Sequence, residues 1–203
     1  EYPHILIVSD EIYEHINFSG KHESIGQFDF IKDQVITVNG VSKGFAMTGW
    51  RIGYMGAPQW VADACIKMQG QFTSGACSIA QKAAQAALEA DPSVTIELRA
   101  KFEKRRALVL GLMKDIPGLK LNHPKGAFYV FPDVSSYFGK TDGETVIKNA
   151  TDLTMFLLNQ GLVALVTGEA FGAPNCIRLS YAASEEVLIE AIQRIRNTLA
   201  LLH

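Results

Sequence analysis

The sequence is short of the residues that mark several common protein classes. Its 203 residues hold three cysteines, Cys65, Cys77 and Cys176, widely separated and without a CxxC pair. An odd count without metal-ligand spacing argues against a disulfide scaffold; it fits thiols buried as small apolar residues in a reducing, cytoplasmic compartment. The five histidines lack ligand spacing too, so no metal site is expected. No apolar stretch reaches the length of a membrane span. Neither sign of charge dominates: 19 Lys and Arg stand against 21 Asp and Glu. That balance gives no electrostatic case for a nucleic-acid or anionic-membrane partner. The densest basic cluster, Lys101 to Arg106, is interleaved with Phe102 and Glu103 and reads as a solvated helix face. An ordinary opening is missing as well, since Glu1-Tyr2-Pro3 is neither an initiator Met nor a signal peptide. A strand pattern has begun by His4-Ile5-Leu6-Ile7-Val8. The expectation is the C-terminal part of a longer protein.

What is present is a chain 48% hydrophobic, enough for one sizeable core and part of a second. Ile5 to Val8 and Gln34 to Val38 are aliphatic, β-branched runs of the kind buried on both faces of a sheet. Arg51 to Gly56 is a third, glycine-rich run, suited to close backbone approach. Helical patterns follow at 59–70 and 78–89, and Asp91-Pro92-Ser93 breaks them. A long amphipathic helix is predicted from 94 to 114, ended by Pro117-Gly118. Short strands are predicted at 119–121, 126–131, 162–166 and 176–181, with helices at 150–160 and from Ser184 to about Leu202. The expected division is a sheet-bearing domain over 1–92 and a smaller α+β domain over 93–203, bridged by the 94–114 helix.

The chemistry gathers at strand ends. In α/β sheets, ligands sit outside the carboxyl ends of strands. Asp10 follows the first run, and Val41-Ser42-Lys43 follows the second. Arg51 comes eight residues after Lys43, within Thr48-Gly49-Trp50-Arg51-Ile52-Gly53. A lysine amine, a hydroxyl and a guanidinium at fixed spacing suit a phosphate-bearing aldehyde, with the amine as covalent anchor. Each residue has a plainer reading beside this one. Asp10 could cap a turn, Lys43 could be a surface lysine in a Ser-Lys-Gly turn, and Arg51 could pair with a sheet carboxylate. Arg178 lies in the apolar run Cys176-Ile177-Arg178-Leu179, where an unpaired guanidinium is costly. A planar ligand carboxylate resolves that cost, and so does a fixed Asp or Glu.

Four segments carry a family resemblance: Ser9-Asp10-Glu11-Ile12-Tyr13, Ser42-Lys43 through Met47-Thr48-Gly49-Trp50-Arg51-Ile52-Gly53, Gly126-Ala127-Phe128-Tyr129, and Ile177-Arg178-Leu179-Ser180-Tyr181-Ala182. In this order the chain resembles the C-terminal part of a fold-type I pyridoxal-phosphate (PLP) enzyme, a class I/II aminotransferase, most similar to bacterial aspartate aminotransferases. The resemblance implies an α/β fold: part of a large domain with a mixed, mostly parallel sheet, then a small α+β domain. It implies Lys43 as catalytic lysine and cofactor anchor, Asp10 on the pyridine nitrogen, and Tyr13 on the phenolic oxygen. Ser42 and Arg51 are implied to hold the phosphate, and Arg178 the substrate α-carboxylate. Substrate would then link the two domains and favour closure. Gly40 stands where many relatives carry a serine donor, so one phosphate contact is missing or replaced. Thr167 stands where the family's loop carries proline, which questions that loop's rigidity. Trp50 is read as a packing residue.

The implied activity moves an amino group between an L-amino acid, here aspartate, and a 2-oxo acid, here 2-oxoglutarate, in a cytoplasmic homodimer. A PLP-dependent β-lyase, or an aromatic or branched-chain aminotransferase, is the alternative on the same scaffold. A non-catalytic, aminotransferase-like sensor domain of a transcription regulator is the alternative from another class. Segments carrying the family's remaining cofactor contacts precede residue 1, so this piece alone is expected to be inactive and to bind cofactor poorly.

Overall fold

A computed structural model describes Tyr2 and residues 4–203. Glu1 and Pro3, part of the opening discussed above, lie outside the described residues. The chain divides into two compact units, Glu1–Ala100 and Lys101–His203.

In the first unit, β1 (Ile7–Asp10), β2 (Val35–Gly40) and β3 (Gly53–Gly56) form one sheet in that order. β1 and β2 run parallel, with Asp10 opposite Val38. β2 and β3 run antiparallel, with Gly40 opposite Gly53. This pairing needs small residues: a Cβ on Gly40 would lie 3.1 Å from the Gly53 Cα and 3.1 Å from the Ile52 carbonyl oxygen. The third strand begins two residues later than predicted, because Arg51 takes a left-handed φ of 52° and cannot continue a pleat. Two helices follow, α1 (Gln59–Phe72) and α2 (Ser78–Leu88). Cys65 on α1 and Cys77 before α2 are exposed and Cys176 is half-buried, which corrects the expectation of buried thiols. Trp50 is 47% exposed in a short 3-10 turn, not packed as expected.

α3 (Ser93–Met113) runs through the boundary between the units at Ala100 and Lys101. The second unit holds β4 (Tyr129–Val130), α4 (Ala150–Gly161), β5 (Val166–Thr167), β6 (Ile177–Ser180) and α5 (Glu185–Leu199). Its strands pair antiparallel in the order β4-β6-β5. The helix starts are capped as their sequence suggests: Asn149 Oδ1 accepts the Asp152 N–H, and Ser184 Oγ accepts the Val187 N–H. Ile177 and Leu179 are buried, so β6 turns Arg178 to the opposite face. Among the described residues, no helix is long and apolar enough to cross a membrane.

Candidate active site

Strand direction decides where the first unit's polar groups meet. Because β1 and β2 are parallel, Asp10 at the end of β1 and the Val41-Ser42-Lys43 turn after β2 emerge at the same edge of the sheet. Because β3 returns antiparallel, Arg51, just before it, is delivered to that edge as well. A carboxylate, an amine and a guanidinium thus share one end of a three-stranded sheet.

The local backbone fixes each group. The Glu11 N–H donates to the Val38 carbonyl at 2.8 Å, tying the Asp10 turn to β2. Asp10 Oδ1 accepts the Ile12 N–H at 3.1 Å, so the capping role is real and uses one carboxylate oxygen. Lys43 is half-buried, and its carbonyl accepts the Ala46 N–H at 3.3 Å. Thr48 Oγ1 donates to the Ser42 carbonyl at 3.1 Å, closing the loop back on the lysine turn. Arg51 Nη1 donates to the Thr48 carbonyl at 3.0 Å, and the guanidinium is exposed. Ala46 and Arg51 both hold positive φ, 53° and 52°, a conformation costly for residues with a Cβ. Strain of this kind concentrates at functional sites. Gly44 is needed too: a Cβ there would meet the His15 ring at 2.5 Å.

Sequence reasoning missed the group behind Asp10. Glu11 is 6% exposed, and its carboxylate accepts Ser24 Oγ at 2.7 Å and Ser9 Oγ at 3.0 Å. His22 Nε2 lies 2.9 Å from its other oxygen. Burial pushes this carboxyl up, but the Ser24, His22 and Ser9 hydrogen bonds and the His22 charge outweigh it and hold it below the usual range. His22 and Ser24 sit 11 and 13 residues away in irregular chain, where no periodicity signals contact.

In the second unit, Arg178 lies over two aromatic rings. Its guanidinium carbon is 4.5 Å from the Tyr129 ring centroid and 4.4 Å from that of Phe171. None of the ion pairs among the described residues involves Arg178 or Arg51, so neither protein carboxylate proposed as a plainer partner is in place. Phe128 turns inward and stacks on Phe102, whereas its neighbour Tyr129 faces the arginine. Thr167 answers the missing proline: its φ of −62° is the value a proline ring imposes, and its hydroxyl caps the next turn.

Known proteins resemble the chain over nearly its whole length. The family model for aminotransferase class I and II matches residues 1–195. The chain belongs to the class I and II aminotransferases. A Petunia hybrida relative, named a bifunctional aspartate aminotransferase and glutamate/aspartate-prephenate aminotransferase, is 46% identical over 98% of this chain and 42% of its own length. The solved aspartate aminotransferase of Rhizobium meliloti superposes with a TM-score of 0.95 at 40% identity, covering all of this chain and 51% of that one. The aromatic aminotransferase of Pyrococcus horikoshii superposes at 0.85 and 36% identity, covering 96% of this chain and 51% of that one. The fold-type I α/β architecture expected from the sequence is therefore the fold of this aminotransferase chain. It spans about half the length of the aminotransferases it matches.

Proposed function

We propose that the chain supplies the lysine-bearing half of a PLP-dependent aminotransferase that transfers the amino group of aspartate to a 2-oxo acid. The observation that carries this reading is the delivery of Asp10, Lys43 and Arg51 to one sheet edge by one parallel and one antiparallel pairing. These groups fit the cofactor: a carboxylate with an oxygen to spare, an amine on a constrained turn, and an exposed guanidinium with one of five donors in use. When bound, pyridoxal phosphate supplies an electron sink for the substrate carbanion.

The residues then have distinct tasks. The Asp10 carboxylate would pair with the pyridine nitrogen and keep it protonated. The Tyr13 hydroxyl holds the phenolic oxygen. Ser42 and Arg51 hold the phosphate, the arginine as a planar fork. The Lys43 amine would anchor the cofactor covalently and, once displaced by the amino acid, would carry the α-proton from the substrate to the cofactor. Arg178 binds the α-carboxylate. The first unit belongs, on this reading, to the cofactor-binding domain, and the second is the small domain. The whole protein is read as a cytoplasmic homodimer.

The relatives' names favour aspartate as donor, and the petunia name adds prephenate as a second acceptor beside 2-oxoglutarate. Assay of the full-length protein that carries this chain tests the reading. Aspartate with 2-oxoglutarate should give oxaloacetate and glutamate, with aspartate preferred over aromatic donors. Pyruvate and ammonia from cystathionine would make it a lyase, and binding of the cofactor without turnover would favour the sensor domain. Lys43→Ala should lower the aspartate rate at least about a thousandfold.

A further inference from the structure

Phe171 is an aromatic ring left 49% exposed, and its partner in the structure is a cation. It belongs to the short 3-10 segment Gly168–Phe171 that follows β5, and β5 pairs with β6 at Val166 and Arg178. Tyr129 reaches the same guanidinium from the other side of β6, where β4 pairs Tyr129 with Ser180. One ring thus comes from the flanking strand β4 and the other from the 3-10 segment that follows the flanking strand β5. Phe131 meets Phe171 edge-on, with centroids 5.9 Å apart.

The segment carrying Phe171 is tied down at several points. Gly168 donates to the Cys176 carbonyl at 2.7 Å, and a Cβ there would lie 2.2 Å from the Ala173 carbonyl oxygen. Thr167 Oγ1 lies 3.0 Å from Thr151 Oγ1 in the first turn of α4, and Thr151 Oγ1 donates to Glu169 Oε2 at 3.0 Å. Gly172 closes the turn at φ 71°, its N–H donating to the Glu169 carbonyl.

We propose that Tyr129 and Phe171 are positioning residues that hold the Arg178 guanidinium for an incoming carboxylate, with the Thr151–Thr167–Glu169 clasp fixing Phe171 in place. Rings against the guanidinium restrict its rotamers and leave its N–H edges for the acceptor, so less ordering remains to be done when a carboxylate binds. The proposal rests on Arg178 being the carboxylate grip.

The test is calorimetric binding of succinate, a non-reacting dicarboxylate, to the full-length protein that carries this chain, alongside KM and kcat for aspartate. Phe171→Leu should weaken succinate and raise KM by about five- to thirty-fold while kcat stays within about twofold. Phe171→Tyr, which keeps the ring, should restore both. Thr167→Val, which removes the clasp's hydroxyl at nearly constant volume, should shift both in the same direction by less. Arg178→Lys separates the two layers. If it leaves succinate binding and KM unchanged, the carboxylate grip itself is wrong. If it weakens them and Phe171→Leu does not, the grip stands and the clamp is overturned. A fall in kcat alone in Phe171→Leu also overturns the clamp.

Discussion

Glu11 is a buried carboxylate beside the proposed cofactor partner Asp10, and its charge is satisfied by Ser9, Ser24 and His22. Its folded carboxyl lies below the ordinary value of 4.5, so folding favours its ionised form. The stability it contributes is complete above that ordinary value and is lost as pH falls through the lower folded one. Glu11→Gln should remove this component. As pH falls from above that ordinary value, the wild-type protein should lose more stability than the variant, read from urea midpoints. Parallel pH profiles would refute that role. The sequence singled out Asp10, Lys43, Arg51 and Arg178 as candidates, because each stands in a motif whose neighbours constrain its chemistry. It left Glu11 and its partners unread, because their contacts join residues through irregular loops. Tyr129 and Phe171 were legible as aromatics but not as partners of Arg178, since one meets it through strand pairing and the other from the turn after β5.

At the scale of elements, the turn between β2 and β3 carries the most consequence. It places Lys43 and Arg51 through two residues at positive φ and through Gly44, which lies against the His15 ring. His15 also meets Phe45 edge-on at 5.5 Å. Gly44→Ala should therefore lower stability by about 1–3 kcal/mol in urea titration and weaken cofactor retention with it. An unchanged midpoint would mean that His15 swings away freely. The long helices were legible from periodicity and capping residues, with ends displaced by at most three residues. The short strands were not. Leu162 was expected to start a strand, but it ends α4 at φ 55°, and pairing begins only at Val166. Ala127 at φ 56° likewise shortens the expected 126–131 strand to Tyr129–Val130. At 119–121 a single bridge, Lys120 to Asp133, replaces the expected strand. Apolar runs report burial; they do not report which backbone groups find a partner.

Across the whole molecule, burial is uneven. Among the described residues, the first unit's buried apolar side chains are Ile16, Val35, Val41, Val61, Ala80 and Ala84, and the second unit holds all the others. Large apolar side chains on the first unit, such as Trp60, Ile66, Phe72 and Ile79, are exposed. The second unit closes over Leu153, Leu157, Ile192 and Tyr181, whose hydroxyl burial pushes up to about 12. Hydrogen exchange of the 203-residue chain by itself should show slow amides in α4, α5 and β6 and faster ones in α1, α2 and β3. Equal protection would contradict this division. The chain by itself should also bind pyridoxal phosphate weakly compared with the full-length protein that carries it, because it spans about half the length of its relatives.

The central claim is that Lys43 anchors the cofactor. It is tested most directly by reducing the cofactor-loaded, full-length protein with borohydride and mapping the labelled peptide by mass spectrometry. The account predicts a phosphopyridoxyl group on Lys43 and loss of the label in Lys43→Ala. A label on any other lysine, with Lys43 unmodified, would contradict it.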